Sequence, residues 1–164
     1  MTSAAEVYGS FIDDELRGEI ARKASLEARG LAVVTSSASL ITAILAVGLF
    51  VSGQETFAPK GISVGLLIAA LAAFICSALL GLLSNRVMHY LVLSVPSLRL
   101  MLNDHWRDDV VEARAVVALA HIGTIETVRA GNDQKARLLI AGVAAQLTAA
   151  ILVSGAVASI LLEG

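Results

Sequence analysis

A chain of 164 residues that is 57% hydrophobic and only 16% charged has too little polar surface for an ordinary soluble domain. Its formal net charge of −2 gives no support for nucleic-acid binding, and its single cysteine, Cys76, excludes an intramolecular disulfide. The charges are also unevenly placed, because residues 30–53, 61–85 and 138–162 contain none. At about 1.5 Å per residue, each window can cross the roughly 30 Å hydrocarbon layer of a bilayer. The expected fold is all-α: an integral membrane protein with three transmembrane helices. The first and third are expected to extend into the cytoplasm as long amphipathic helices.

In chain order, residues 1–29 are predicted to form an N-terminal cytoplasmic amphipathic helix. Tyr8, Ile12, Leu16, Ile20, Ala24 and Ala28 recur every fourth residue, with charges on the remaining arc. No proline interrupts the run into the first span, 30–53. The first apolar window starts too late for a secretory leader, so none is expected. Residues 54–61 form an external loop and 62–85 the second span. A cytoplasmic helical segment, 86–137, follows. Pro96 marks a re-entry turn and a short helix near the membrane face, after which Val111, Ala115, Ala118, Ile122 and Ile125 offer a short heptad seam. Asp108, Asp109 and Glu112 crowd the start of that helix, where negative charge suits the helix dipole. The third span is 138–162.

Orientation follows from the cations. Eleven of the twelve Lys/Arg residues precede span one or lie between spans two and three; only Lys60 falls in the 54–61 loop. This asymmetry predicts a multi-pass protein with a cytoplasmic N-terminus and an external C-terminus. Arg outnumbers Lys nine to three and Ala, Leu and Val dominate, which suggests a bacterial source and hence the inner (plasma) membrane.

Two rows of small residues run through the apolar segments. Gly65, Ala69, Ala73, Ser77 and Gly81 stand four apart in span two; Gly142, Gln146, Ala150, Ser154 and Ala158 do so in span three. Lipid solvates leucine as well as another helix does, so helices in a bilayer associate by close backbone approach and hydrogen bonding. The rows are therefore expected to be packing seams within the chain, between chains, or both. A polar belt accompanies them: Thr35, Ser36, Ser37 and Ser39, then Cys76 and Ser77, then Gln146 and Thr148, fall at one depth, roughly 10–15 Å from the cytoplasmic boundary. A Gln amide facing lipid alone would lack partners, so Gln146 should face protein or water. Two readings are open: interhelical hydrogen bonds from Gln146 to Ser36 or Ser39, or a polar ring lining a hydrated path in an oligomer. No charged residue lies inside a span, which argues against coupled transport.

Sites for chemistry are scarce. His105, Asp108, Asp109 and Glu112 share a helical face but lack a second histidine or a cysteine, so no metal is expected. His89 and His121 stand alone. Trp106 and Tyr90 suit interface anchors. No Ser–His–Asp spacing, P-loop or dinucleotide glycine pattern occurs, so neither enzymatic activity nor a cofactor is expected. Arg22, Lys23, Arg129, Lys135 and Arg137 allow two readings. They could snorkel and fix helix depth, or gather around a vestibule that binds an anion such as a nucleotide phosphate or lipid head group.

The stretches "EIARKASLEARGLAVVTSSASLITAILAV" and "RAGNDQKARLLIAG" resemble the membrane domain of small bacterial proteins grouped with the transmembrane effectors of Pycsar antiphage defence, and uncharacterised actinobacterial relatives. Arg22, Lys23 and Ala24 approximate that group's first motif, and Asn132, Lys135 and Ala136 its second; Ser36, Ser37 and Ser39 depart from the pattern. The resemblance implies a membrane effector that responds to a cyclic nucleotide and compromises the inner membrane. The expected function is thus an oligomeric effector or pore-type protein. The alternative is a non-catalytic accessory subunit of a larger membrane complex. Expected partners are the lipid bilayer, further copies of the chain, and a larger complex or a cytoplasmic nucleotide.

Overall fold

The computed structural model describes residues 3–52, 61–88, 90, 91, 94–104 and 109–163. Among these it has four helices and no strand: α1 (Ala4–Ser52), α2 (Gly61–Ser84), α3 (Val95–Asn103) and α4 (Val110–Glu163). The predicted 54–61 loop, apart from Gly61, lies outside the described residues, as do His89, His105, Trp106 and Asp108. Three helices, α1, α2 and α4, are long and apolar enough to cross a membrane. At 49 and 54 residues, α1 and α4 far exceed the roughly 20 that a span requires.

Local chemistry sets the helix starts. Ser3 and Glu6 form a capping box at the head of α1: the Glu6 amide donates to Ser3 Oγ at 3.3 Å, and the Ser3 amide donates to Glu6 Oε2 at 3.0 Å. Ser94 caps α3, accepting from the Ser97 amide at 3.2 Å, with Pro96 in the first turn, where no amide hydrogen is needed. Asp109 Oδ2 accepts from the Val111 amide at 3.1 Å at the start of α4, consistent with the acidic residues crowded there.

The chain divides into two units, residues 1–25 with 87–134 (unit 1) and residues 26–86 with 135–164 (unit 2). In unit 2 the buried positions are Leu26, Gly30, Val33 and Ser37 on α1, Ser63, Ala70, Phe74, Ser77, Gly81 and Ser84 on α2, and Lys135, Leu139, Gly142, Ala149 and Ala156 on α4. Steps of three and four residues, or their sum, separate them. The large side chains point the other way: Leu31, Leu45, Ile68, Ile75, Leu79, Ile140, Leu147 and Ile151 are exposed. Ten of these fifteen buried positions are Gly, Ala or Ser, beside Leu26, Val33, Phe74, Leu139 and Lys135, while many large aliphatic side chains lie outside.

Only part of each four-residue row is buried within the chain. Ser77 and Gly81 are buried, but Ala73 is only half-buried and Gly65 and Ala69 are exposed. On α4, Gly142 is buried and Gln146 half-buried, whereas Ala150, Ser154 and Ala158 are exposed. The same holds for the N-terminal row, where Tyr8, Ile20, Ala24 and Ala28 are exposed, and for the α4 heptad, where Ile125 is buried but Val111, Ala115 and Ile122 are exposed. The physical reason for the four-residue rows is angular. A step of four residues advances about 40° around a helix, so such a row winds off a facing neighbour within three steps. Alternating steps of three and four drift by only about 20° per seven residues, and a slight supercoil absorbs that.

Candidate functional site

Within unit 2, α1 and α2 approach at two glycines. A Cβ on Gly81 would lie 2.9 Å from Val34 Cγ2 and 3.0 Å from the Gly30 carbonyl oxygen, and one on Gly30 would collide with Ser84 Oγ. Backbones this close bring short hydroxyls within reach of neighbouring helices. Ser37 Oγ donates to Ser77 Oγ at 3.2 Å, and Ser77 Oγ donates to the Gly142 carbonyl at 2.7 Å, so one buried chain of hydrogen bonds ties α1, α2 and α4 together. Gln146 Nε2 donates to Ser36 Oγ at 2.8 Å, and Ser36 Oγ donates to the Val33 carbonyl at 3.1 Å. Ser63 and Ser159 share a further hydrogen bond of 3.1 Å between α2 and α4.

The polar belt therefore divides by direction. Ser36, Ser37, Ser77 and Gln146 serve contacts inside the unit. Thr35, Ser39 and Thr148 are exposed and donate to carbonyls four residues back on their own helices, at 3.0 Å in each case. Cys76 is also exposed. Gln146→Leu should remove the Ser36 bond and lower the stability of the bundle by about 0.6–2 kcal/mol. Reversible unfolding in mixed micelles would measure this.

Within unit 1 several cations are matched to carboxylates. Arg129 Nε donates to Glu19 Oε1 at 2.7 Å and its Nη2 to Glu15 Oε2 at 3.0 Å. Arg22 donates to Asp133 Oδ1 at 2.9 Å and lies 3.7 Å from Glu19. Arg114 pairs with Glu6 at 3.3 Å, and His121 Nδ1 lies 2.7 Å from Asp13 Oδ1. Lys23 stands over the Tyr90 ring, 4.5 Å from its centroid. In unit 2, buried Lys135 pairs with Glu27, whose side chain is 40% exposed. Among the described residues Arg137 makes no ion pair, and it is exposed. Of the five proposed anion-binding cations, three are thus neutralised by carboxylates and one covers an aromatic face.

The sequence reasoning missed these acids, although a signal was available. Glu6 and Asp13 stand seven apart, as do Arg114 and His121, and both pairs join residues 108 positions apart. Glu27 and Lys135 have the same separation. Opposite charges at matched heptad spacing are the mark of two parallel helices in register.

Asn132 is fully buried; its Nδ2 donates to the Glu19 carbonyl and to Glu19 Oε2, both at 2.9 Å. Its Oδ1 and the Tyr90 hydroxyl are buried without partners. Burial pushes the Glu19 carboxyl upward, but hydrogen bonds from Arg129 and Asn132 and the charges of Arg129 and Arg22 outweigh it. Glu19 is held below the ordinary carboxylate value. A depressed folded pKa contributes stability in full above about pH 4.3, and that contribution disappears as pH falls through the folded value. Thermal melts should therefore show wild-type stability falling below about pH 4.3 more steeply than that of Glu19→Gln.

A cleft of about 780 Å³ opens in unit 1 between α1, α3 and α4, with the Glu6–Arg114 and Asp13–His121 pairs in its wall. Its charged groups already satisfy one another. Among the described residues no group of three or more His, Cys, Asp or Glu could hold a metal ion, and two of the four predicted metal candidates lie outside them. What the arrangement provides is mechanical: parallel helices held in register, and a bundle whose interior polar groups are closed on themselves. Comparisons with protein-family models, with curated proteins and with solved structures returned no match to this chain.

Proposed function

We propose that this protein is an oligomeric, non-enzymatic membrane effector or pore-type protein of the bacterial inner membrane, with the N-terminus cytoplasmic and the C-terminus external. The observation that carries the proposal is the inverted distribution of side chains in unit 2. Large aliphatic residues are exposed on the outside while ten of the fifteen buried positions hold Gly, Ala or Ser, a pattern suited to lipid rather than water. The exposed hydroxyls of Thr35, Ser39 and Thr148 add polar faces outside the bundle, which suits contact with further copies or a hydrated path between copies. Control by a nucleotide, as the Pycsar resemblance implies, would require its phosphate to displace Glu15, Glu19, Glu27 or Asp133 from their cations. The geometry therefore favours action on the membrane over nucleotide recognition by that cluster. Purified protein in liposomes should form oligomers by native mass spectrometry and release ions or dye. An oligomer that never conducts, together with intact membrane potential on overexpression, would refute the effector reading.

A second reading, an accessory subunit of a larger membrane complex, is favoured by the closure of Gln146, Ser37 and Ser77 on partners within the chain. Co-purification of one fixed partner at defined stoichiometry, with no homo-oligomer, would select it.

A further inference from the structure

Pairing between cations and carboxylates leaves a remainder. Among the described residues, four arginine side chains meet no carboxylate: Arg29, Arg86, Arg99 and Arg137. Arg99 lies on α3 in unit 1, and the other three belong to unit 2. All three are exposed, and each borders one of the uncharged windows. Arg29 directly precedes 30–53, Arg86 directly follows 61–85 and Arg137 directly precedes 138–162.

The fold brings them to one level. Arg29 and Arg137 are 108 apart in number, the separation at which Glu27 pairs with Lys135 across the same two helices. Arg86 joins them through its neighbour, because a Cβ on Gly30 would meet the Asn85 side-chain amide at 3.1 Å. Three arginines therefore stand at the same end of unit 2, where each apolar stretch stops. No carboxylate of the unit is available to them there. Of its described acids, Glu27 is held by Lys135, and Glu163 closes α4 at the other end.

Nor do the three converge on a pocket. Arg137 lies two residues past buried Lys135, about 200° around α4, so it points away from the bundle, while Arg29 and Arg86 belong to other elements. Cations spread in this way suit a partner that surrounds the bundle, a layer of anions rather than one small molecule. A bilayer supplies such a layer at the depth where a hydrocarbon-crossing segment ends, in the phosphates of its lipids. Arginine is well matched to them, because its planar fork of donors engages two phosphate oxygens at once.

We propose that Arg29, Arg86 and Arg137 form a collar that binds the phosphates of anionic phospholipids around unit 2. This rests on the membrane reading above and names the lipid class that the protein selects. Zwitterionic lipids are bound less well, because the cationic end of their head group repels the arginines. Near an anionic surface each arginine contributes roughly fivefold in affinity.

The test reads lipid retention. Wild type and variants are placed in nanodiscs of equal parts phosphatidylcholine and phosphatidylglycerol, then moved to detergent, and the lipids they keep are identified by native mass spectrometry. Wild type should keep phosphatidylglycerol in preference to phosphatidylcholine, and less so as salt is raised. Arg29→Gln, Arg86→Gln and Arg137→Gln should each lower that preference several-fold, and the triple variant should abolish it. Arg17→Gln, which removes an arginine already paired with Asp14, should leave it unchanged. A wild-type preference that ignores salt, or a triple variant that keeps the preference, would overturn the collar and leave the membrane reading standing. Inorganic phosphate that binds the lipid-free protein, and no longer binds the triple variant, would assign the arginines to a soluble anion and overturn the lipid. Protein that enters no nanodisc would overturn both readings.

Discussion

Replacing Gly81 with leucine should disrupt the bundle, whereas the same replacement at Gly65 should leave it folded. Both glycines belong to one four-residue row of α2, so the sequence alone treats them alike. Their surroundings differ. A Cβ at Gly81 meets the Gly30 carbonyl oxygen at 3.0 Å and Val34 Cγ2 at 2.9 Å, and the first of these is backbone that cannot rotate away. At Gly65 nothing lies within 4 Å. Overpacking of this kind costs about 1–3 kcal/mol or more, and a leucine must also drive α1 and α2 apart, breaking the Ser37–Ser77 bond. Gly65→Leu should fall within about 0.5 kcal/mol of wild type. Gly142 is intermediate: its nearest neighbour is Leu80 Cβ at 3.4 Å, so Gly142→Ala should be tolerated. Unfolding in mixed micelles measures all three, and equal stability of the Gly81 and Gly65 variants would count against the close approach of α1 and α2.

The second large effect is expected at the Glu27–Lys135 pair, and it should be asymmetric. Lys135 is 1% exposed, while Glu27 retains 40% exposure. Glu27→Gln leaves an ammonium group buried with no opposite charge beside it. Losing one partner of a buried pair costs about 3–5 kcal/mol, and the partial exposure of Glu27 places this case at the lower end. Lys135→Met leaves a carboxylate that can turn to water, and puts an unbranched apolar chain at a buried position, so it should cost far less. Thermal denaturation of the two variants decides the matter: if Lys135→Met were the more damaging, the burial assigned to the ammonium would be wrong.

Much of the architecture was legible before any coordinates. Uncharged windows long enough for a bilayer mark the apolar parts of α1, α2 and α4, and the absence of proline before residue 59 allowed α1 to run unbroken to Ser52. The predicted Gln146–Ser36 hydrogen bond is present, because a Gln amide in an apolar span has few partners available. Asn132 and Glu19 were not anticipated as a buried pair, since nothing in their local sequence distinguishes them from surface residues.

Composition and the spacing of charges determine where this chain is apolar, where it is helical and how long each helix runs, because those properties depend on residues close in sequence. Which edge of each helix is buried depends on the neighbour it meets, and that only the tertiary structure decided. Of the four-residue rows, Ser77, Gly81 and Gly142 are buried within the chain, whereas the contacts inside the chain follow a 3.5-residue repeat. The fate of the cations was settled in the same way: carboxylates more than a hundred residues away in the chain reach them only once α1 and α4 lie parallel and in register.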